Sequence, residues 1–326
     1  MRMMPSFKKI ALAFLFSVTA GSAFAQFEIA NSEYIDDLKN GTTYIAMKDT
    51  GSVKSAEYKN LFRKYWTFSK FKFINYSDIS DYIAKGNSFL SIGGYETTTQ
   101  FTTLYSDGRS KNGIDYSNTH IYMEFWTVSN KFFEKNKKEV GDKDRVRVGR
   151  IELFTDFFTL NEPKNIYKTD YDGDGHIRNW GPGFVKNYVL LLNNLLAAKT
   201  ERKLYDTSSD PKKLKELKTQ TLYVPDYVLI KFNKFTGDET KRNEEKEIFG
   251  DYKYKYKMMS GEELNNAILS SDEHPFYYLI YIKSSTDKYI TVMNSKTGEF
   301  IYTDYVPVSY NITSKDLKSL SDAIGK

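Results

Sequence analysis

Two stretches of this chain follow the same order of residue types, and this repetition constrains the fold more than any other feature. They are FKFINYSDISDYIAKGNSFL, which begins at Phe71, and YKYKMMSGEELNNAILSSDEHPFYYL, which begins at Tyr254. Each has an aromatic-Lys-aromatic run, a serine, and an acidic residue followed by an aliphatic one. An Ile follows each pair four residues on. The match predicts a diverged tandem duplication of a β-α-β-α-β-β unit, with Ile79 and Leu264 in equivalent core positions.

Hydrophobic periodicity assigns secondary structure to both halves of the chain. Alternating or continuous apolar runs predict strands at 42–49, 71–76, 88–94, 119–128, 148–158, 221–232, 252–259, 276–283 and 288–306. Helical spacing and capping residues predict helices at 58–66, 77–86, 209–218, 260–270 and 313–324. Ser260 and Glu263 predict a capping box, Asp210 is the predicted cap before Pro211, and residues 294–298 predict a turn within 288–306. Residues 183–205 carry a broad apolar stripe that includes Leu191 and Leu195, which predicts a buried helix between the halves.

The expected fold class is therefore α+β. It consists of two diverged tandem α/β sandwich-like domains, each a mixed sheet with helices on one face, joined by a packed helical connector. The predicted boundaries are 26–160 for the N-terminal domain, 161–218 for the connector and 219–326 for the C-terminal domain. The connector contains an acidic loop and the buried helix.

The N-terminus has the three parts of a secretory signal peptide. Basic residues come first, a short apolar run follows from Ile10 to Val18, and Ala23-Phe24-Ala25 fits the cleavage rule. The run is shorter than the ~20 residues of a membrane-spanning helix. We therefore expect residues 1–25 to be removed, no transmembrane segment in the mature chain, and a periplasmic or secreted location.

Composition excludes several classes of function. The chain has 47 Lys+Arg and 42 Asp+Glu. Without the three basic residues of the signal, 44 basic residues remain against 42 acidic ones. This balance gives no electrostatic reason to expect a nucleic-acid partner. The chain has no cysteine, which excludes disulfides, thiol nucleophiles and thiolate metal sites. The 26 Tyr and 23 Phe could form stacking platforms for sugars, but without a repeated spacing their abundance indicates strand propensity.

The stretch TDYDGDGHIRNW, residues 169–180, is the best candidate for an ion site. Asp170, Asp172 and Asp174 fill the first, third and fifth positions of a calcium loop, and the His176 carbonyl fills the seventh. Gly181 stands where such a loop has a bidentate Glu. The stretch therefore predicts a weak calcium site that clamps the connector. A solvated acidic turn is the alternative.

Other catalytic patterns are weak. His120, His176 and His274 are isolated in sequence, which indicates surface or rim histidines and no zinc motif. The chain has no G-x-S-x-G motif, and SIGGY lacks the remaining residues of a phosphate loop. Residues 135–150 carry three arginines at near-alternate spacing. They could form a strand edge that meets an anion, but interrupting acids favour a solvated hairpin.

A resemblance to known families follows from the C-terminal half. The motif SGEELNNAI, a strand, and a hairpin ending NSKTGEFIY resemble periplasmic domains of the curli-export lipoprotein and TolB N-terminal type. The resemblance covers 221–326 and, more faintly, 42–160, but the chain lacks the lipid-anchor cysteine. Residue usage resembles that of exported proteins of Bacteroidota-like bacteria. No catalytic residues are implied.

Two functions remain open at this point. The favoured one is a non-enzymatic periplasmic or envelope-associated binding or assembly protein, with an envelope protein or a glycan as partner. The alternative is an exported hydrolase that acts on polysaccharide or peptide through carboxylates that the sequence does not identify. An enzyme should have a deep pocket with converging carboxylates or histidine, whereas an adaptor should have an exposed sheet edge or an aromatic patch.

Overall fold

The computed structural model describes residues 26–47, 53–99, 102–112, 116–154, 177–205, 207–233, 236, 238–284 and 287–326. The strands are β1 (Phe27–Ile29), β2 (Thr42–Ala46), β3 (Lys70–Ile74), β4 (Ser88–Thr99), β5 (Thr102–Leu104), β6 (Ser110–Asn112), β7 (Tyr116–Val128), β8 (Arg145–Leu153), β9 (Ser208–Ser209), β10 (Leu222–Pro225), β11 (Ile230–Phe232), β12 (Glu239–Lys241), β13 (Tyr256–Met259), β14 (Tyr277–Ser284), β15 (Asp287–Asn294) and β16 (Phe300–Val306).

The helices of the described chain are short apart from three. The α-helices are Ile35–Asn40, Val53–Tyr65, Asn130–Glu134, Pro182–Ala198, Pro211–Leu214, Lys246–Phe249, Gly261–Leu269 and Ser314–Gly325. The 3-10 helices are Ser32–Tyr34, Tyr76–Tyr82, Asp142–Asp144, Lys215–Lys218 and Asp226–Leu229. None of these helices is both long and apolar enough to cross a membrane.

Two six-stranded mixed sheets form the framework, which confirms the α+β class. The first has the order β1-β8-β7-β4-β2-β3, and the second has the order β13-β10-β14-β15-β16-β9. In the first, β2 is parallel to β3 and β4, and the remaining steps are antiparallel. In the second, β10 is parallel to β13 and β14, and the remaining steps are antiparallel. Counted from β3 and from β13, the two sheets have the same order and the same directions.

Helical elements cover both faces of the first sheet, so the prediction of helices on one face is wrong. Ile45 of β2 lies in the main core together with residues of helix Val53–Tyr65. Its neighbour Tyr44 lies on the opposite face, in a second cluster closed by 3-10 helix Tyr76–Tyr82 and by Phe132. In the order β4-β2-β3, the chain moves one way across the sheet from β2 to β3 and the other way from β3 to β4. Because crossovers are right-handed, these two connections lie on opposite faces.

The second sheet is also covered on both sides. Tyr278 of β14 accepts a hydrogen bond of 3.0 Å from Asn187 Nδ2 of helix Pro182–Ala198. Lys288 of β15 is paired across the ladder with Lys283, and its Nζ lies 2.6 Å from Asp316 of helix Ser314–Gly325. Successive residues of a strand point to opposite faces. Tyr278 and Lys283 therefore lie on different faces, and one helix packs on each.

The helix Pro182–Ala198, called the central helix below, joins the two halves. It packs against helix Val53–Tyr65 of the first half and helix Gly261–Leu269 of the second. The prediction of a buried connecting helix is confirmed, and Leu191 is 2% exposed. Its predicted C-terminal end is wrong, because Lys199 adopts a left-handed conformation with φ 48° and ends the helix.

Close approach of the backbones holds the central helix against the second half. A Cβ on Gly183 would lie 2.3 Å from the Asn265 carbonyl oxygen, so only glycine fits there. Gly183 N donates to Asn265 Oδ1 at 2.8 Å. Lys186 is fully buried, and its Nζ donates to Asp272 Oδ1 at 2.8 Å and to the Ile268 carbonyl at 3.1 Å. One continuous core therefore runs through both halves.

Several predicted capping and turn features are confirmed. Ser260 Oγ accepts from Glu263 N at 3.1 Å, and Glu263 Oε2 accepts from Ser260 N at 2.8 Å, which completes the capping box. Asp210 caps the helix that begins at Pro211. The β15–β16 turn contains Gly298 with φ 68°. Local sequence is sufficient for these features because their partners lie within a few residues.

Other predicted elements are wrong in type or extent. The run 221–232 is not one strand, because β10 ends at Pro225 and a 3-10 helix separates it from β11. The helix predicted at 77–86 is a 3-10 helix that covers Tyr76–Tyr82 and stops before residue 83. Ile79 and Leu264 do not occupy equivalent core positions. Leu264 is fully buried in the main core, whereas Ile79 is half-buried against the second cluster.

Candidate functional site

The four predicted metal ligands are Asp170, Asp172, Asp174 and His176, and they lie outside the described residues. The calcium site therefore stays a prediction. Ile177, which follows the loop, is 1% exposed. Within the described ranges, no group of three or more His, Cys, Asp or Glu side chains is placed to hold a metal ion.

The three arginines of the basic segment lie on one face of β8. Residues 135–143 are almost all exposed and connect the antiparallel strands β7 and β8, as expected of a solvated hairpin. Residues 145–150 belong to β8, which lies between β1 and β7, so the strand-edge alternative is wrong. Arg147 pairs with Trp126 across the β7–β8 ladder, and Arg150 pairs with Glu124. Directly opposed residues share a face, and Arg145, opposite Val128, lies on the same face. The basic residues therefore line a sheet face.

Each guanidinium on this face stacks on an aromatic ring. Arg145 lies 4.0 Å from the Trp126 ring centroid, and Arg150 lies 3.9 Å from that of Tyr122. Glu124 is 3% exposed. It pairs with Arg145 and lies 3.6 Å from Arg147 Nε. The ladder of stacked and paired groups fixes the arginines and leaves their positive charge largely compensated.

One end of this ladder reaches the junction of the two sheets, where β14 packs against β7 and β8. Arg150 pairs with the fully buried Glu152. Glu152 Oε2 accepts from Ser284 Oγ at 3.3 Å, and Ser284 Oγ lies 2.8 Å from His120 Nδ1. The His120 ring stacks on Tyr95 with centroids 4.4 Å apart. A polar chain therefore ties the N-terminal sheet to β14.

Burial sets the protonation states of the side chains in this polar chain. Burial raises the pKa of Glu152, and the charge of Arg150 opposes that rise. Burial of Arg150 disfavours its charge, but the pairing with Glu152 outweighs this and raises the Arg150 pKa. Burial, followed by the Arg150 charge, lowers the pKa of His120 to about 4. His120 is therefore neutral at neutral pH.

The hydrogen-bonded side chains of His120, Ser284 and Glu152 are residue types that hydrolases use. Their order does not suit nucleophilic catalysis. A catalytic triad places histidine between serine and carboxylate, so that it removes the serine proton. Here Ser284 lies between His120 and Glu152 and is 5% exposed. Glu152 is also paired with Arg150. The arrangement is suited to fixing the sheet junction. His274, the other described histidine, is exposed in a loop.

The other end of this row of stacked and paired side chains, at Trp126 and Arg145, lines a groove of about 750 Å³. This volume lies within the range of ~300–1,000 Å³ typical of ligand sites. We call it the aromatic groove. Its aromatic and aliphatic lining consists of Tyr76, Ile79, Ile83, Trp126, Phe132, Phe133 and Val140. Its charged lining consists of Lys137, Lys138, Glu139, Asp142 and Arg145.

Fixed contacts define the walls of the aromatic groove. The loop wall is held by Lys137 Nζ, 2.6 Å from Asp144 Oδ1, and by Asp144 Oδ2, which accepts from Gly141 N at 3.1 Å. The hydrogen bond from Lys137 lowers the pKa of Asp144. Trp126 Nε1 donates to Ser91 Oγ at 3.1 Å beneath the floor. The groove is thus preformed and combines apolar surface with Lys137 and Arg145, which already have carboxylate partners.

Sequence reasoning missed most of these residues. Glu124 and Glu152 belong to strands that it assigned, but two acids on apolar strands gave no signal of a partner. Ser284 follows the strand predicted at 276–283, and nothing in the sequence pairs it with His120. The aromatic-rich run at 119–128 identified the strand of Trp126 but not its groove.

No protein-family model, curated protein or solved structure matches this chain.

Proposed function

We propose that the protein is a non-enzymatic binding or assembly protein of the periplasm or cell envelope, and that the aromatic groove holds a segment of an envelope protein. The observation that carries this proposal is a preformed groove with an aromatic floor whose Lys137 and Arg145 already have carboxylate partners. Such a site offers apolar contact and orientation.

The N-terminal sequence supports the proposed location. Residues 1–25 have the basic, apolar and small-residue regions of a signal peptide. Cleavage after Ala25 would make Gln26 the first residue. Gln26 is buried, and its Nε2 donates to the Glu152 carbonyl at 3.2 Å. The residue that cleavage would leave at the N-terminus is therefore held within the fold.

The edges of the sheets favour the groove as the interaction surface. The outer strand β3 carries exposed Lys70 and Lys72, and the outer strand β13 carries exposed Lys257. Lysines on an edge strand oppose pairing with a strand of another chain. The β1 edge is partly covered, because Ile29 forms a bridge with Arg202. Strand addition is therefore disfavoured at the β3, β13 and β1 edges.

We further propose that the two halves arose by tandem duplication and form the two domains at 26–160 and 219–326, joined through 161–218. The shared strand order of the two sheets supports this. In each half a helix follows the last antiparallel strand, Pro182–Ala198 after β8 and Ser314–Gly325 after β16. By this order the central helix is the counterpart of the C-terminal helix.

The hydrolase alternative rests on carboxylates that the sequence does not identify. Among the described residues, His120, Ser284 and Glu152 form a hydrogen-bonded set of residue types that hydrolases use. The central position of Ser284 and the pairing of Glu152 with Arg150 argue against catalysis by this set. These groups therefore support a structural role, and the binding function is preferred.

A pull-down from solubilised cell envelopes tests the function. Ser80 lines the groove and is exposed, so Ser80→Trp should fill the groove without removing a core contact. Ser77 is exposed on the same 3-10 helix and does not line the groove, which makes Ser77→Trp the matched control. A partner captured by the wild type and Ser77→Trp, but lost with Ser80→Trp, supports the proposal. Equal capture by all three proteins contradicts it.

A further inference from the structure

Three tyrosines from distant parts of the chain meet at the junction of the two sheets. Tyr95 lies on β4, Tyr205 follows the central helix, and Tyr305 lies on β16. The rings of Tyr205 and Tyr305 are 5.3 Å apart. Tyr205 also interacts electrostatically with Tyr95 and Arg150. These three tyrosines, called the tyrosine patch below, form one surface shared by both halves.

The patch exposes a concentrated apolar surface. Tyr95 is 44% exposed and Tyr205 is 41% exposed. Among the described residues, the exposed large hydrophobic side chains are Tyr76, Tyr95, Tyr105, Tyr205 and Val308. Val308 donates its backbone N–H to Asp287 Oδ1 at 3.1 Å, and Asp287 interacts with Tyr305. Three of these five side chains therefore lie at the same junction, which is typical of an interaction surface.

The rings are held in place before any ligand arrives. Tyr95 is paired with His120 across the β4–β7 ladder and stacks on its ring at 16°. Tyr305 is paired with Tyr289 across the β15–β16 ladder, with ring centroids 5.3 Å apart. Fixed rings lose little side-chain entropy on binding, which favours a surface contact.

A bridge in the backbone brings Tyr205 to the patch. Ile29 N donates to the Arg202 carbonyl at 2.9 Å, and Arg202 N donates to the Ile29 carbonyl at 2.8 Å. This pair of hydrogen bonds directs the chain after the central helix along β1.

Val308 adds a strained backbone to the same place. Its φ is 52°, and its side chain is 77% exposed. A β-branched residue in the left-handed region is an outlier that costs free energy. A strained backbone at an exposed apolar side chain suits a residue that contacts a ligand, because exposure to solvent does not offset the free-energy cost of the strain.

The charges beside the patch select against an ionic ligand. Arg150 is paired with the buried Glu152, so it offers no free positive charge. Asp287 would repel an anion. The Tyr95 ring already has a cationic partner in Arg150, 5.6 Å from its centroid, so it does not favour a second cation. The surface therefore complements a neutral ligand that has both an apolar face and hydroxyl groups.

We infer that the tyrosine patch binds a neutral glycan, with pyranose rings lying against Tyr95 and Tyr205 and sugar hydroxyls bonded to Asp287. The C–H face of a pyranose ring is apolar and matches the flat face of a tyrosine. Its outward hydroxyls match carboxylate and phenol groups. This site lies apart from the aromatic groove and does not depend on the function proposed for the groove.

Titration calorimetry on the full chain tests the inference. The probes are the neutral oligosaccharides maltohexaose, cellohexaose and N-acetylchitohexaose, with hexagalacturonate as the anionic comparison. At least one neutral probe should bind. Tyr95→Ala and Tyr205→Ala should each weaken that binding by about tenfold, because each removes one stacking face.

Matched variants separate the patch from general damage. Tyr105 is 46% exposed in the β5–β6 hairpin, so Tyr105→Ala should leave the affinity unchanged. Tyr95→Phe keeps the ring and should keep most of the affinity. Ser80→Trp should leave glycan binding intact, which distinguishes this site from the groove. No binding of any neutral probe, tighter binding of hexagalacturonate, or equal loss with Tyr105→Ala would overturn the inference.

Discussion

Arg147 and Arg150 lie on the same face of β8, although three residues of regular strand would place them on opposite faces. The register of the β7–β8 ladder shifts between Phe125 and Trp126, so that Val148 has no partner on β7. This bulge turns Arg150 onto the face of Arg147. The ion pairs with Glu124 and Glu152 and the stacking on Tyr122 all depend on that turn.

Glu124 should be the most sensitive residue of this face. Glu124→Ala leaves Arg145 and Arg147 without their buried partner. Both arginine side chains are about a third exposed, so water can relieve part of the loss. We expect the free energy of unfolding to fall by about 2 kcal/mol, measured by urea denaturation. Glu134→Ala, at an exposed position, should change it little. Equal effects of the two variants would contradict the network.

His120 should make stability depend on pH in acid. Burial lowers its pKa from 6.5 to about 4. Between these values the unfolded chain binds the proton and the folded chain does not. Stability should therefore fall as the pH decreases through this window, by on the order of 2 kcal/mol after allowance for partial exposure. Above the window His120 should add no pH dependence.

The variant His120→Gln isolates this contribution. It removes the titrating group, so the difference in unfolding free energy between wild type and variant should shrink as the pH falls from about 7 to about 4.5. Burial raises the Glu152 pKa, which gives a slope of opposite sign in both proteins and cancels in the difference. Parallel pH profiles would mean that His120 is protonated normally.

The central helix provides a graded test of packing. Leu191 is 2% exposed, whereas Leu195 is only half-buried. Leu191→Ala should lower the free energy of unfolding by ~2–5 kcal/mol, and Leu195→Ala by about half as much. Chemical denaturation measures both. A loss below about half a kcal/mol for Leu191→Ala would mean that the helix does not join the halves.

The acidic loop still predicts a calcium site. Asp170, Asp172 and Asp174 repel one another without a cation, and the missing Glu limits the affinity to ~10⁻⁴–10⁻³ M. Millimolar calcium should raise the melting temperature, and Asp172→Ala should abolish the rise. Calorimetry that detects neither heat of binding nor a shift would leave the stretch as an acidic turn.

Local patterns predicted the framework well. The strand runs at 276–283 and 288–306, the capping box at Ser260 and the buried helix around Leu191 are all confirmed. Each depends on periodicity or on partners within a few residues. The order of residue types in the two repeated stretches was the signal of the shared strand order, although their Ile79 and Leu264 differ in burial.

The candidate sites depend on long-range relationships that a sequence does not express. The bulge at Val148 changes the face of Arg150, and no residue type signals it. Ser284 meets His120 from 164 residues away. Tyr205 reaches the tyrosine patch only because the helix ends at Lys199 and the chain then pairs with β1.

Site-specific photo-crosslinking in cells tests the central claim most directly. A photoreactive amino acid at position 80 would stand at the aromatic groove, and one at position 77 would stand on the same 3-10 helix outside it. We predict an adduct with one envelope protein from position 80 and little or none from position 77. Equal adducts from both positions, or none from position 80, would contradict binding in the groove.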